Sequence, residues 1–238
     1  MSFGKRGPHE ADEEIGRPPA GFAELGRKPS GEDAEASQIG PASVDVERML
    51  VAALTGAHGQ QHLETMLAAG AALAGEYALR ASAQPGFLDQ PLPWIFGNPA
   101  DPILYADERR GRVTVWGIVS AIALCARHRS ADLPSIEAIV SRNDARIGQA
   151  PYPPLSVAKA HLPRHHAPNL PIKLRGRIDQ IAFEHDLSPR QTALAIGMGT
   201  AIILKGADRT GFDAFVGATL IGEVMIGVSR MKPLERPL

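Results

Sequence analysis

Apolar residues recur along this chain mainly at helical spacing. Val46, Met49, Leu50, Ala53 and Leu54 stand at i, i+3, i+4, i+7 and i+8, which predicts an amphipathic helix capped by Ser43 and closed at Gly56. After His58-Gly59 a longer helix is expected to run to about Ser82. Leu63, Met66, Leu67, Gly70, Leu73, Ala74 and Tyr77 lie on one side of it, and the run of small residues from Ala68 to Ala72 makes it narrow. A narrow helix packs closely on a neighbour, in its own chain or in a second copy. Val113 to Ala126 is nearly all apolar and long enough to read as a buried helix, with Val113-Thr114-Val115-Trp116 leaving a strand open as an alternative. Asp132 and Pro134 mark a further helix start before Leu133, Ile136, Val140 and Ile147, and Ile172 to His185 resumes the helical period.

The best-punctuated stretch is Ser188 to Arg230. Ser188-Pro189-Arg190-Gln191 is a capping box with proline at the first helical position, where its missing N–H costs nothing. Lys205-Gly206 supplies a stop, and Thr210-Gly211-Phe212-Asp213 supplies a second N-cap with Asp213 as the acid in the first turn. Thr192 to Leu204 holds no charge, and Glu223 is the one charge between Ala214 and Ser229, so both helices are expected to be buried as a central hairpin. Their glycines (Gly197, Gly199, Gly217, Gly222, Gly227) point to close backbone contact, since glycine costs up to about 1 kcal/mol against alanine in a helix interior. The uncharged runs fall short of the roughly 20 residues that span a bilayer, so membrane insertion is not expected.

These helices are separated by irregular segments. Residues 1–42 are rich in Gly, Pro, Ser and acids, and read as a flexible acidic tail that cannot order alone. Residues 43–238 then form one α-helical domain of about seven helices, with Pro-rich connectors at 85–102 and 151–171. The first connector carries Leu92, Trp94, Ile95 and Phe96 and is expected to lie over the core as a lid. The second is expected to form at most one helical turn, near 156–162.

Composition narrows the class. Among 238 residues 44% are hydrophobic and 5% aromatic, a balance that favours an all-α fold over sheets. The formal net charge of −1 hides a basic C-terminal part, in which residues 151–238 hold 11 Lys/Arg and 7 Asp/Glu, too slight an excess for a nucleic-acid footprint by itself. The single cysteine, Cys125, rules out an intramolecular disulfide and a thiolate cluster, and its place in an apolar helix argues for a buried, inert thiol. With no apolar leader at the N-terminus, a soluble, cytoplasmic protein is the expectation.

Candidate chemistry is sparse. Glu223, set among Leu220, Ile221, Val224, Met225 and Ile226, is the candidate for a general acid or an anchor for a cationic group, because a buried carboxylate has a raised pKa unless it is paired. Its opposite number would be a His or Arg from residues 161–177, and the alternative is simple pairing with one arginine. His161, His165 and His166 offer metal-ligand spacing if their turn is helical, but Pro163 interrupts it and no third ligand is evident. His58 and His62 share i, i+4 spacing. No nucleophile elbow, phosphate-binding loop or dinucleotide fingerprint occurs, so no cofactor is expected.

Residues 178–194 resemble a DNA-binding helix-turn-helix. Ile181-Ala182 would be its buried pair, 185–188 its turn, and Arg190 and Gln191 would face bases from the second helix. Two features weigh against it: Asp186 where glycine is usual in the turn, and an apolar second helix after Thr192. The leading expectation is a non-enzymatic interaction protein, a homo-oligomer or a subunit of a larger assembly. DNA binding through 178–194 is the alternative, and a small-molecule site or enzyme around Glu223 is third.

Overall fold

A computed structural model describes residues 31–56, 59–83, 86–89, 92–125 and 133–236. The described residues form eight α-helices and no strand: α1 Gly31–Leu54, α2 Leu63–Ser82, α3 Asp101–Leu104, α4 Val115–Cys125, α5 Ile136–Asp144, α6 Pro171–Glu184, α7 Pro189–Ala207 and α8 Ala214–Ser229. Residues 1–30, His58 and Asp132 lie outside the described residues. None of the described helices is long and apolar enough to cross a membrane.

The helix that the others surround is α2. Every residue from Thr65 to Leu79 is buried, including Glu76. Helix α2 packs against both α7 and α8, while α7 and α8 make few contacts with each other. The two apolar helices after Ser188 are therefore buried as expected, but they meet across α2 more than they meet directly. Two glycines of α2 permit this. A β-carbon at Gly70 would fall 2.0 Å from Thr200 Oγ1 of α7, and one at Gly75 would fall 2.4 Å from the Met225 carbonyl oxygen of α8. Five residues apart, they point about 140° from one another around α2. The small-residue surfaces are thus consumed inside the chain. Helices α1 and α4 close over α7, α5 lies on α8, and α6 reaches both α1 and α2.

Ser188 caps α7 as the sequence predicts, whereas α8 is capped by Asp213 and not by Thr210, whose hydroxyl donates to the Ala207 carbonyl. Ser188 Oγ accepts from the Gln191 amide at 3.3 Å, and the Ser188 amide donates to Gln191 Oε1 at 2.8 Å, so the capping box is closed. Asp213 accepts from the Phe215 amide and starts α8.

Elsewhere several starts and boundaries differ. Helix α1 begins at Gly31, so Ser43 is a buried interior residue bonded to the Gly40 carbonyl, and residues 31–42 belong to a helix and not to the tail. Ile39 and Ala42 extend the same apolar stripe into the core, which outweighs the amide hydrogen bond that Pro41 cannot make. The cap of α5 is Ser135, which accepts from Ala138 N, and α5 buries Ile136, Ile139 and Asn143, a stripe rotated from the one expected. Residues 115–125 are helical, which settles the strand alternative, and a four-residue helix, α3, closes the first connector. The second connector holds 3₁₀ turns at 159–161 and 167–169.

Candidate functional site

Helices α5 and α8 are joined by two ion pairs of opposite sense. Glu223 of α8 accepts from Arg142 of α5, and Arg230 at the end of α8 donates through Nε to Asp144 of α5 at 2.9 Å. Glu223 and Arg230 are seven residues apart, two turns along the same face, and both are 0% exposed.

Around Glu223 every close polar group donates to it. Besides Arg142, the Ser156 amide reaches Oε2 at 2.8 Å and the Ser156 hydroxyl reaches Oε1. Burial pushes the Glu223 pKa above the usual carboxylate range, against the opposing pull of Ser156 and Arg142. The partner expected from residues 161–177 is absent, because the connector presents Ser156 and α5 presents Arg142. With three donors on a carboxylate that is 0% exposed, a substrate could reach Glu223 only by displacing them.

Around Arg230 the balance is reversed. One guanidinium donates to Asp101 through both terminal nitrogens, at 2.6 and 3.2 Å, and to Asp144 and Ser229 Oγ besides. Burial lowers the pKa of Arg230, but Asp101 and Asp144 together outweigh this and hold it above the usual arginine value. Tyr105 donates to Asp101 at 2.7 Å, and burial followed by that hydrogen bond raises the pKa of its phenol, so it stays neutral. Asn98 donates to Asp144 at 3.3 Å. In this cluster two carboxylates share one cation. No pattern along the chain marks it, because an arginine at a helix C-terminus ordinarily reads as a solvated complement to the helix dipole.

The Arg230 cluster also fixes the Trp94 loop. Ile95 N donates to the Arg230 carbonyl at 2.9 Å and Lys232 N to the Pro93 carbonyl at 2.8 Å, so Trp94 and Met231 form an antiparallel bridge. Ile95 is buried, whereas Leu92 and Phe96 are exposed. The loop thus lies over the core only in part. It faces open clefts on two sides, one of about 480 Å³ towards Asp144 and one of about 620 Å³ towards residues 231–236.

The remaining candidates are not brought together. The turn holding His161 stops at that residue, so no i, i+4 pair forms with His165. His161 contacts Glu64 at 3.1 Å and the ring of Phe212, while His165 and His166 are exposed. Among the described residues no group of three His, Cys, Asp or Glu could hold a metal. His62 instead caps α2, its Nδ1 accepting from Thr65 N. Cys125 is exposed and not buried, because it stands on the last turn of α4 beside a cleft of about 720 Å³.

Arg190 donates to the Val113 carbonyl at 2.8 Å, Gln191 contacts Gln38 at 2.6 Å, and α7 is buried from Thr192 to Gly197. A recognition helix needs an exposed face to enter a groove, so this geometry lends the helix-turn-helix reading no support. No protein-family model, no curated protein and no solved structure matches the chain.

Proposed function

We propose that the protein is non-enzymatic and works by association with another protein chain, in the first instance a second copy of itself, through the edge formed by residues 92–96. One observation carries this reading. The segment forms a single antiparallel bridge, Trp94 to Met231, just after a bend at Pro93; it is paired on one side only, and among the described residues the amide and carbonyl of Trp94 have no hydrogen-bond partner. In a strand, successive residues aim their N–H and C=O groups to opposite sides, so residues 93 and 95 face Met231 while 92, 94 and 96 face away. Pro93, which cannot donate, is on the inner side and does not block the outer one. Side chains alternate as well, and Leu92, Trp94 and Phe96 share a face on which two of the three are exposed hydrophobics.

An unpaired edge of this kind, with no charge and no outward proline, is a template for another strand. Antiparallel pairing about Trp94 is self-complementary. Trp94 meets the other copy's Trp94, and Leu92 of each chain meets Phe96 of the other, as a two-fold interface requires.

Light scattering of the full chain tests it. The expected mass is twice 25.3 kDa for the wild type and 25.3 kDa for Leu92→Lys/Phe96→Lys, with Phe183→Ser, at a separate residue that is 87% exposed, behaving as wild type. A wild type that stays at 25.3 kDa at about 100 µM, far above the Kd of a specific dimer, overturns the reading.

A further inference from the structure

The cleft beside Asp144 carries a second reading, which needs no second chain. It is lined by Trp94, Phe96, Asn98, Asp144, Ile147 and Gly148. Its volume of about 480 Å³ suits a short side chain or a small molecule.

Three features make it chemically specific. The first is charge. Arg230 is the cation bonded to both Asp101 and Asp144, and its two terminal nitrogens are committed to Asp101, so Asp144 receives only the Nε bond on Oδ1. Its other oxygen accepts from Asn98 at a long 3.3 Å, and the side chain is 34% exposed. A carboxylate offers about four acceptor positions, so Asp144 retains capacity on its open side. The nearest arginines on its own helix and just beyond are engaged elsewhere, Arg142 with Glu223 and Arg146 with Gln149.

The second feature is aromatic. The Trp94 ring stands edge-on to Tyr152, with centroids 5.0 Å apart, which fixes its orientation, and Phe96, 59% exposed, lines the same cleft. The third is backbone. Asn98 adopts φ 49°, a left-handed conformation that asparagine tolerates better than most residues, and this holds its amide against Asp144. Aromatic faces beside a carboxylate with free acceptor capacity are the recognition chemistry of organic cations.

We propose that this cleft binds an ammonium or guanidinium group on a short apolar stem, with Asp144 as counter-ion and Trp94 and Phe96 as walls. The cation arrives either as a free amine or as a lysine or arginine side chain of another protein. Both share the chemistry, and the stem and backbone around the charge separate them.

The experiment is a calorimetric titration of the full chain with butylammonium, butylguanidinium and N-acetyl-lysine methylamide, with n-pentanol as the neutral control. Saturable binding of the cations, none of pentanol, and weakening by added salt are expected. Asp144→Asn is expected to weaken binding at least tenfold and Phe96→Ala about fivefold. Because Asp144 also holds Arg230, Phe96→Ala repeats the test at an exposed side chain outside the ion pair. Tighter binding of the lysine derivative assigns the site to a protein partner, and tighter binding of the simple amines assigns it to a free metabolite. No saturable cation binding up to about 50 mM, equal binding of pentanol, or unchanged affinity in both variants overturns the proposal. The titration reads one chain. A monomer that binds amines therefore removes the association reading and keeps this one, and a dimer blind to amines does the reverse.

Discussion

Glu223 and Arg230 sit two turns apart on α8, both wholly buried and both bonded to α5, yet they solve the problem of a buried charge in opposite ways. Glu223 is an acceptor surrounded by donors, and its cation, Arg142, is 38% exposed, so half of that ion pair keeps its hydration. Arg230 is a donor with no exposure of its own, placed between two carboxylates, and the surplus acid is the one that opens to solvent. Desolvation of a charge costs several kcal/mol unless partners replace water. At Glu223 a backbone amide and a hydroxyl make up most of that replacement. At Arg230 two carboxylates do most of it, with the Ser229 hydroxyl as one neutral acceptor, which leaves an excess carboxylate at the surface as a by-product available to a ligand.

Variants can break this contrast, beginning with the largest expected effect. Arg230→Met removes the single cation between Asp101 and Asp144 and leaves two carboxylates facing each other, Asp101 mostly covered and Asp144 partly open. A loss of about 3–5 kcal/mol in urea unfolding is expected, and an effect under about 1 kcal/mol would mean that water already serves the cluster. Glu223→Ala leaves the Ser156 amide without an acceptor and opens a cavity beside α5, but Arg142 can turn to solvent. The expected loss is smaller, about 2–4 kcal/mol by the same measurement, and a loss exceeding that of Arg230→Met would invert the comparison.

Tyr105→Phe deletes one neutral donor to Asp101 while Arg230 still holds that carboxylate, so a loss of about 0.5–1.5 kcal/mol is expected. The smallest effect is with pH. Because the pKa of Glu223 is raised on folding, the folded protein takes up that proton before the unfolded chain does. Its contribution is therefore fully present below the ordinary carboxylate range and is lost as pH rises through the folded value. The melting temperature of the wild type relative to Glu223→Gln is expected to rise as pH falls from about 7 to 5, and a difference that is flat or falls would show that the donors outweigh burial.

The legible parts of this chain were those decided within a few neighbouring residues. The Ser188 capping box, the end of α2 at Ser82 and the helical state of 171–184 all follow from hydrogen bonds and apolar spacing inside one or two turns, and the structure has each of them. The weak metal pattern in 161–166 was likewise broken by a local fact, Pro163. What sequence did not determine was which side chains turn inward. Ser43 reads as a cap behind a polar tail, but Ile39 and Ala42 are buried by partners far along the chain and carry the helix back through Pro41 to Gly31.

The expected stripe of α5 was rotated because α8 presents a carboxylate and an arginine to it. Arg230 looked like a solvated helix end, and only the arrival of Asp101 and Asp144, 129 and 86 positions away, made its burial tolerable. Even the centre was read as the hairpin of α7 and α8, since these are as apolar as α2, and the two glycines that place α2 between them reveal their purpose only against Thr200 and Met225. Local chemistry sets where helices begin and end. Which face is buried depends on surfaces that become neighbours only when the chain has folded.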